Sequence, residues 1–402
     1  MNIPKLRFKE FTDEWVYYKY KDIFNLNQGL QIPITERFLD YAPNRFFYIT
    51  NEFLKPSSKK SYYIENPSPN VICTKEDILM TRTGNTGKVI TNIAGVFHNN
   101  FFRIKYNPKN FNKDFICCVL NQNKIQNKIL TLAGSSTIPD LNHKDFYSIK
   151  SRFPKLKEQE KIAKFINTVD KKIENIENTI SSLENQKKGL LQQIFSQKLR
   201  FKDENGNNYP NWEKKKLGKL LSITSSKRIH EADWTTSGIP FYRARDIVSI
   251  FNNKPISKIY ISEKLYEECS SSCGKISEND LLVTGVGTIG IPYLVKKSDK
   301  FYFKDGNIIW LKNSPAIYGK YLFYIFISSY VQKQINMMTG KGTVGTYTIK
   351  NAKDTNILLP CLEEQTKIAD FLSEFDHKLD NQKAQLEHWQ QIKKGLLQQM
   401  FV

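Results

Sequence analysis

Gly285, Gly287 and Gly290 follow the apolar run Leu281–Val283 with the spacing of a dinucleotide-binding loop, whose backbone N–H groups cradle a pyrophosphate. Such a loop must open a helix at once, whereas Pro292, Tyr293 and Leu294 read as a strand. An earlier copy of the same segment also carries Arg82 in place of the first glycine. No Gly-Lys pair is followed by Ser or Thr, so the phosphate loop of an ATP motor is absent. Cys269 and Cys273 could begin a metal site, but no second close ligand pair accompanies them, and His98, His143, His230, His377 and His388 are scattered. The carboxylate pairs Glu76-Asp77 and Glu363-Glu364 fit turns or helix starts better than acid–base catalysis. No catalytic chemistry and no metal site is expected of this chain.

Donor-rich loops remain. Arg82, Thr83, Asn85, Thr86 and Lys88 lie in one glycine-punctuated stretch, and Ser135, Ser136 and Thr137 in another. A second set comprises Lys227, Arg228, Arg243, Arg245, Thr288, Lys341, Thr343 and Tyr347. Arginine can read guanine bidentately, asparagine can read adenine, and hydroxyls with backbone N–H groups position phosphates. These residues are the DNA-binding candidates, although for any single one a solvated charge or a turn residue is the commoner reading.

The charge balance supports a polyanionic partner. Lys and Arg total 60 against 40 Asp and Glu, a net +20. Residues 1–153 carry 22 basic and 13 acidic groups, and residues 196–359 carry 25 and 14; residues 154–195 (8 and 6) and 360–402 (5 and 7) cancel. Two long basic segments with aromatics mixed through them are the electrostatic footprint of a nucleic-acid binder. No run of four to eight Lys/Arg marks an anionic membrane surface.

With 402 residues, 40% hydrophobic and 13% aromatic, the chain should form two or three cored domains. Its longest apolar run, Tyr321–Ile327, is far below the ~20 residues of a membrane span. The opening residues have no apolar stretch of a signal peptide, and six cysteines are too few for a disulfide framework. A cytoplasmic location is the expectation.

The elements that must position the loops are written twice. Residues 154–195 and 360–401 share 19 identities in 42 gapless positions, from the Pro-x-Leu-x-Glu-Gln-x-Lys-Ile-Ala starts at Pro154 and Pro360 to the Lys-Lys-Gly-Leu-Leu-Gln-Gln ends at Lys187 and Lys393. A heptad seam runs through both. Its members are Ile162, Ile166, Val169, Ile173, Ile176, Ile180, Leu183, Lys187, Leu190 and Ile194, then Ile368, Leu372, Phe375, Leu379, Gln382, Leu386, Trp389, Lys393, Leu396 and Met400. Each stripe is too narrow to be stable alone, so the helices should pair with each other.

The long segments repeat too. Leu6-Arg7-Phe8 before Trp15 matches Leu199-Arg200-Phe201 before Trp212; Asp77–Gly87 matches Asp280–Gly290; Gly134 with Thr137 matches Gly340 with Thr343. Mixed β-branched and helical runs in each predict an α/β (α+β) globule. The expected boundaries are 1–153 and 198–359 for the globules, and 154–197 and 360–402 for the helices. Because Leu199-Arg200-Phe201 directly follows the first helix, the second should end where the first globule begins. That is a cyclic, pseudo-twofold order with antiparallel helices.

Taken together, these motifs resemble the specificity subunit of type I restriction-modification systems, and the resemblance covers essentially the whole chain. It implies two target-recognition domains, each reading half of a split double-stranded DNA sequence, with the helices as a spacer. It implies docking of two modification (methyltransferase) subunits, which use S-adenosylmethionine to methylate adenine. It also implies restriction/translocase subunits that use ATP and Mg, and no cofactor on this chain itself. After the matched Phe47-Tyr48 and Phe241-Tyr242, the segments Asn51–Leu54 and Asp246–Ser249 diverge strongly, so the two half-sites should differ. An autonomous DNA-binding regulator with a coiled-coil spacer is the alternative; it would bind its sequence tightly without partners.

Overall fold

The computed structural model describes residues 3–54, 60–134, 138–339 and 345–401. It divides into two compact units, residues 1–177 with 384–402, and residues 178–383. Each unit carries one two-stranded and two four-stranded sheets.

In the first unit, Phe24–Gln28, Phe101–Tyr106, Ile78–Thr81 and Val89–Ile90 form an antiparallel four-stranded sheet in that order. A second sheet runs Tyr63–Glu65, Arg45–Ile49, Gly95–Phe97, Ile72–Cys73, with one parallel pair between Arg45–Ile49 and Gly95–Phe97. In the second unit the corresponding sheets are Ile223–Thr224, Ile308–Leu311, Leu281–Thr284, Pro292–Leu294, and Trp234–Thr235, Tyr260–Ile261, Ile239–Tyr242, Tyr302–Phe303. There the one parallel pair joins Ile239–Tyr242 to Tyr302–Phe303. The nearly all-antiparallel pairing puts the globules on the α+β side of the expected class. The glycine pattern at Gly285 does lead into a strand, Pro292–Leu294.

The long helices span Leu156–Phe195 and Leu362–Gln399, 40 and 38 residues, or about 60 Å each at ~1.5 Å per residue. The boundary between the units falls inside both helices, so each begins in one unit and ends in the other. In the first unit Ile162, Ile166, Val169 and Ile176 are buried and Ile173, Leu386, Trp389 and Leu396 half-buried. In the second, Ile368, Leu372 and Leu379 are buried and Ile180, Leu183, Leu190 and Phe375 half-buried. Among the described residues, no helix is long and apolar enough to cross a membrane.

Pairing within each unit is antiparallel and keyed by charge. In the second unit Lys187 pairs with Asp376, and Lys383 with Glu184 at 3.1 Å, so one helix rises as the other falls. In the first unit the reciprocal pair is Lys393 with Asp170 at 2.5 Å. The seam lysines therefore act as register pins, the established use of a polar residue at a core heptad position. The Tyr324 hydroxyl also donates to Asp376, at 2.6 Å.

Both helix starts close on a buried carboxylate. Glu158 accepts from Arg7 Nε and a terminal guanidinium nitrogen at 2.7 and 2.8 Å, and from the Trp15 indole at 3.3 Å. Glu364 repeats this with Arg200 at 2.8 and 2.9 Å and Trp212 at 2.8 Å. The adjacent Gln159 and Gln365 amides donate to the carbonyls of Pro154 and Pro360. Phe401 stands edge-on to Trp15 at 6.1 Å, and Phe195 to Trp212 at 6.4 Å. The expected cyclic order has its bond in the first unit: Leu6 N donates to Gln399 O, as Leu199 N does to Gln193 O in the second.

Removing one partner of a buried ion pair leaves an uncompensated charge, a loss of about 3 kcal/mol. Glu364→Gln is therefore expected to lower the denaturant-unfolding free energy by about that much, with Glu374→Gln, on the exposed face of the same helix, within about 0.5 kcal/mol of the parent chain.

Candidate nucleic-acid interface

The two Gly-x-x-Gly loops are hairpin tips on a common hydrogen-bond frame. Thr81, buried, donates its hydroxyl to Asn85 O and accepts from Lys88 N at 2.9 Å; Thr284 donates to Thr288 O at 2.6 Å and accepts from Ile291 N at 3.0 Å. Gly87 (φ +90°) and Gly290 (φ +78°) sit where an L side chain is strained. Their carbonyls are held by Gln126 and Gln332 at 2.9 and 2.8 Å. A rigid frame thus presents tips of different chemistry: Thr83, Asn85 and Lys88 in one unit, Val286, Thr288 and Ile291 in the other.

In the first unit Asn85 and Lys88 are exposed, and Thr86 is buried, its hydroxyl within bonding distance of the Arg82 and Pro139 carbonyls (3.0 and 2.9 Å). Arg82 is not free, because its fork grips Asp140 at 3.1 and 2.7 Å. Thr83 also donates to that carboxylate. Partial burial works to raise the Asp140 carboxyl, and the Thr83 hydroxyl with the Arg82 guanidinium overcomes it, holding the group below the usual carboxylate value. The segment after Arg45–Ile49 is a single 3₁₀ turn, Asn51–Leu54, tied to the hairpin by Asn51 Nδ2 donating to Thr83 O at 3.0 Å. Ser135, Ser136 and Thr137 lie outside the described residues, as do Lys341 and Thr343 of the second set.

In the second unit the segment after Ile239–Tyr242 is instead a two-turn α-helix, Ala244–Phe251. The divergence seen in the sequence is therefore a change of element, and in both units that element lies against the hairpin. Arg245, Val248 and Ser249 of the helix line an open cleft of about 700 Å³ with Val286, Gly287 and Thr288. Glu231, Trp234, Arg243, Ala244, Lys304 and Asn307 complete its wall. The cleft gathers three expected residues: Arg243, Arg245 and Thr288.

Lys227 and Arg228 are exposed on a neighbouring segment. Arg228 pairs with Asp305 at 3.0 Å, which ties that segment to the turn carrying Lys304. Lys227 has its backbone N–H and carbonyl on the Tyr302 hydroxyl at 2.9 and 3.1 Å.

Besides Thr86, two candidates prove to be interior. Arg243 is 8% exposed, donating to Asp246 at 2.7 and 3.1 Å and to Ser257 at 3.1 Å, and Asp246 also accepts from the Arg243 backbone N–H at 2.9 Å, which fixes the helix start. Tyr347 is 1% exposed with its hydroxyl 2.6 Å from Thr355 Oγ1. Burial with satisfied partners makes both of them structural. Asp246, three residues after Arg243, follows capping-box spacing and could have been read from sequence. Asp140, Asp305, Trp234 and Lys304 carry no local signal.

This division predicts distinct outcomes. Arg243→Ala strands the buried Asp246 and should cost about 3 kcal/mol in denaturant unfolding, whereas Arg228→Ala at an exposed pair should change stability by less than about 0.5 kcal/mol.

Residues 12–185 and 209–388 each match the model of the type I restriction modification DNA specificity domain. The chain is 23% identical to the type I restriction enzyme MjaVIII specificity subunit of Methanocaldococcus jannaschii, over 98% of this chain and 94% of that one. Its fold is similar to that of the type I restriction-modification system S subunit from M. genitalium, with a TM-score of 0.61 at 18% identity, covering 100% of this chain and 99% of that one. A chain from a structural study of complex assembly and conformational transition in the type I restriction-modification system aligns with a TM-score of 0.55 at 15% identity, covering 95% and 96%.

Proposed function

Because the chain belongs to the type I restriction-modification DNA specificity family and is a specificity subunit of such a system, we propose that its two units each read one half of a split, asymmetric DNA target. The observation that carries this is a duplicated frame with unlike outer elements. The Thr81 and Thr284 hairpins share their hydrogen bonds, while a 3₁₀ turn faces one and an α-helix faces the other. Identical readers would specify identical half-sites; these differ in tip chemistry and in the element beside the tip.

Phosphate attraction from the basic surfaces would hold the duplex without regard to sequence, and exposed loop residues would choose among bases. Asn85 and Lys88 serve in the first unit; Lys227, Arg245 and Thr288 serve in the second, where Arg228 adds its charge while its Nε stays on Asp305. The unlocated Ser135, Ser136, Thr137, Lys341 and Thr343 belong to the same proposal. The long helices set the gap between half-sites, and their outer faces dock two modification subunits. Those subunits bring S-adenosylmethionine and methylate adenine, and restriction subunits bring ATP and Mg. This chain supplies no catalytic group, and it acts in the cytoplasm, where the DNA lies.

Two experiments test the reading through maps of methylated adenine. Exchanging residues 205–355 for the same region of another such chain should rewrite one half-site and leave the other intact. Adding one heptad to both helices should widen the gap by about three base pairs, from ~1.5 Å per helical residue against ~3.4 Å per base pair; an unchanged gap would refute the spacer.

A further inference from the structure

The chain has 50 lysines and only ten arginines. Where a point charge is enough it uses lysine, so an arginine marks a place where the planar five-donor fork has work to do. Seven arginines pair with carboxylates of this chain, Arg103 while donating to the Ile72 and Asn70 carbonyls and Arg228 through its Nε alone. Arg37 donates to the Ile32 carbonyl at 3.0 and 2.7 Å, and Arg152 lies 5.0 Å from the Tyr17 ring. Among the described residues, Arg245 is the one arginine whose side chain makes no ion pair, hydrogen bond or ring contact, although Glu231 lines the same cleft, and it is exposed.

Its base is nevertheless rigid. Arg245 is the second residue of the helix Ala244–Phe251, whose first turn is locked by the buried Arg243–Asp246 pair and whose Ile247 is fully buried. The cleft beside it has apolar walls in Val248 and Val286, with hydroxyls from Ser249 and Thr288. The Trp234 indole N–H, in the same wall, is buried and finds no acceptor within the chain. An uncommitted fork on a fixed helix, next to a partly apolar cleft holding spare donors, suits a rigid planar acceptor pair better than a mobile phosphate. The first unit has no counterpart, since Arg82 is spent on Asp140 and a 3₁₀ turn replaces the helix.

We propose that Arg245 is a specificity-determining residue that reads one guanine, through O6 and N7 in the major groove, in the half-site bound by residues 178–383. This rests on the two-half-site reading above and adds a base, a residue and a side of the target to it.

The test is methylated-adenine mapping and DNA binding by the chain assembled with its modification subunit, for the parent, Arg245→Lys and Arg245→Ala. Lysine keeps the charge and loses the fork. Both variants should lose discrimination at one guanine in one half-site by about tenfold to a hundredfold, with the other half-site unchanged. The unfolding midpoint should not move, because the side chain is exposed, and Arg245→Lys should retain the salt dependence of binding. A consensus left intact by Arg245→Lys, or uniform weakening at all sequences with Arg245→Ala, would show a phosphate contact and overturn the assignment. A parent complex with no two-part consensus would overturn the underlying reading instead, so the two failures are distinguishable.

Discussion

Each unit is organised around a carboxylate that has been taken out of water. Glu158 is 2% exposed and Glu364 not at all, and a buried ion without partners is costly by several kcal/mol. The cost is offset only when two remote stretches arrive together: the opening segment, with its arginine and tryptophan, and the helix start that carries the acid. The tryptophan then offers its ring to a phenylalanine from the end of the other long helix. Since a well-packed apolar replacement for such a cluster is often as stable, its value lies in specificity. The helix start, the helix end and the opening segment fit one another in a single way.

That junction frees the rest of each unit to vary. Once the helix ends and the Thr81 and Thr284 hairpins are fixed, the outward faces of the tips and of the element beside them are free to differ. The register pins Lys187–Asp376 and Lys393–Asp170 do for the helix pair what the clasp does for the globule. They charge any shifted pairing with an unpaired ion at a covered position. A protein that must place two recognition surfaces on a duplex needs both properties: stiffness in the frame and tolerance at the tips.

The frame was legible because it is periodic and repeated. The heptad stripe survives in residues 154–195 and 360–401 whatever the loops do, and Leu6-Arg7-Phe8 with Trp15 repeats as Leu199-Arg200-Phe201 with Trp212. The lysines on the stripe look like defects in one helix alone and make sense only once the facing aspartate is known. The interface was less legible, for a physical reason. Whether an arginine is a reader or a strut depends on where the acids fall, and Asp140 is 58 residues from Arg82, Asp305 77 residues from Arg228. Only the Arg243–Asp246 pair, three residues apart, declares itself locally. Tyr347 stood among the candidates, yet its backbone N–H bonds to Gly285 O and its ring fills the core, a contact 62 positions away in sequence.

The same long-range packing limits how the two readers can be interconverted. Arg82 and Gly285 occupy equivalent positions, each donating its N–H to the carbonyl of an asparagine, Asn100 or Asn307. In the second unit a Cβ at Gly285 would stand 2.7 Å from Tyr347 O, a backbone atom that cannot step aside. An arginine therefore cannot be moved from the first hairpin to the second without displacing the segment that carries Tyr347. The helix Ala244–Phe251 likewise cannot shrink to a 3₁₀ turn without exposing Ile247 and stranding Asp246. Each reader is a cooperative set of hairpin, adjoining element and local acids. The physically cheap route to a new target is thus the exchange of a whole unit at the clasp, where both copies present the same arginine, tryptophan and glutamate to the helices.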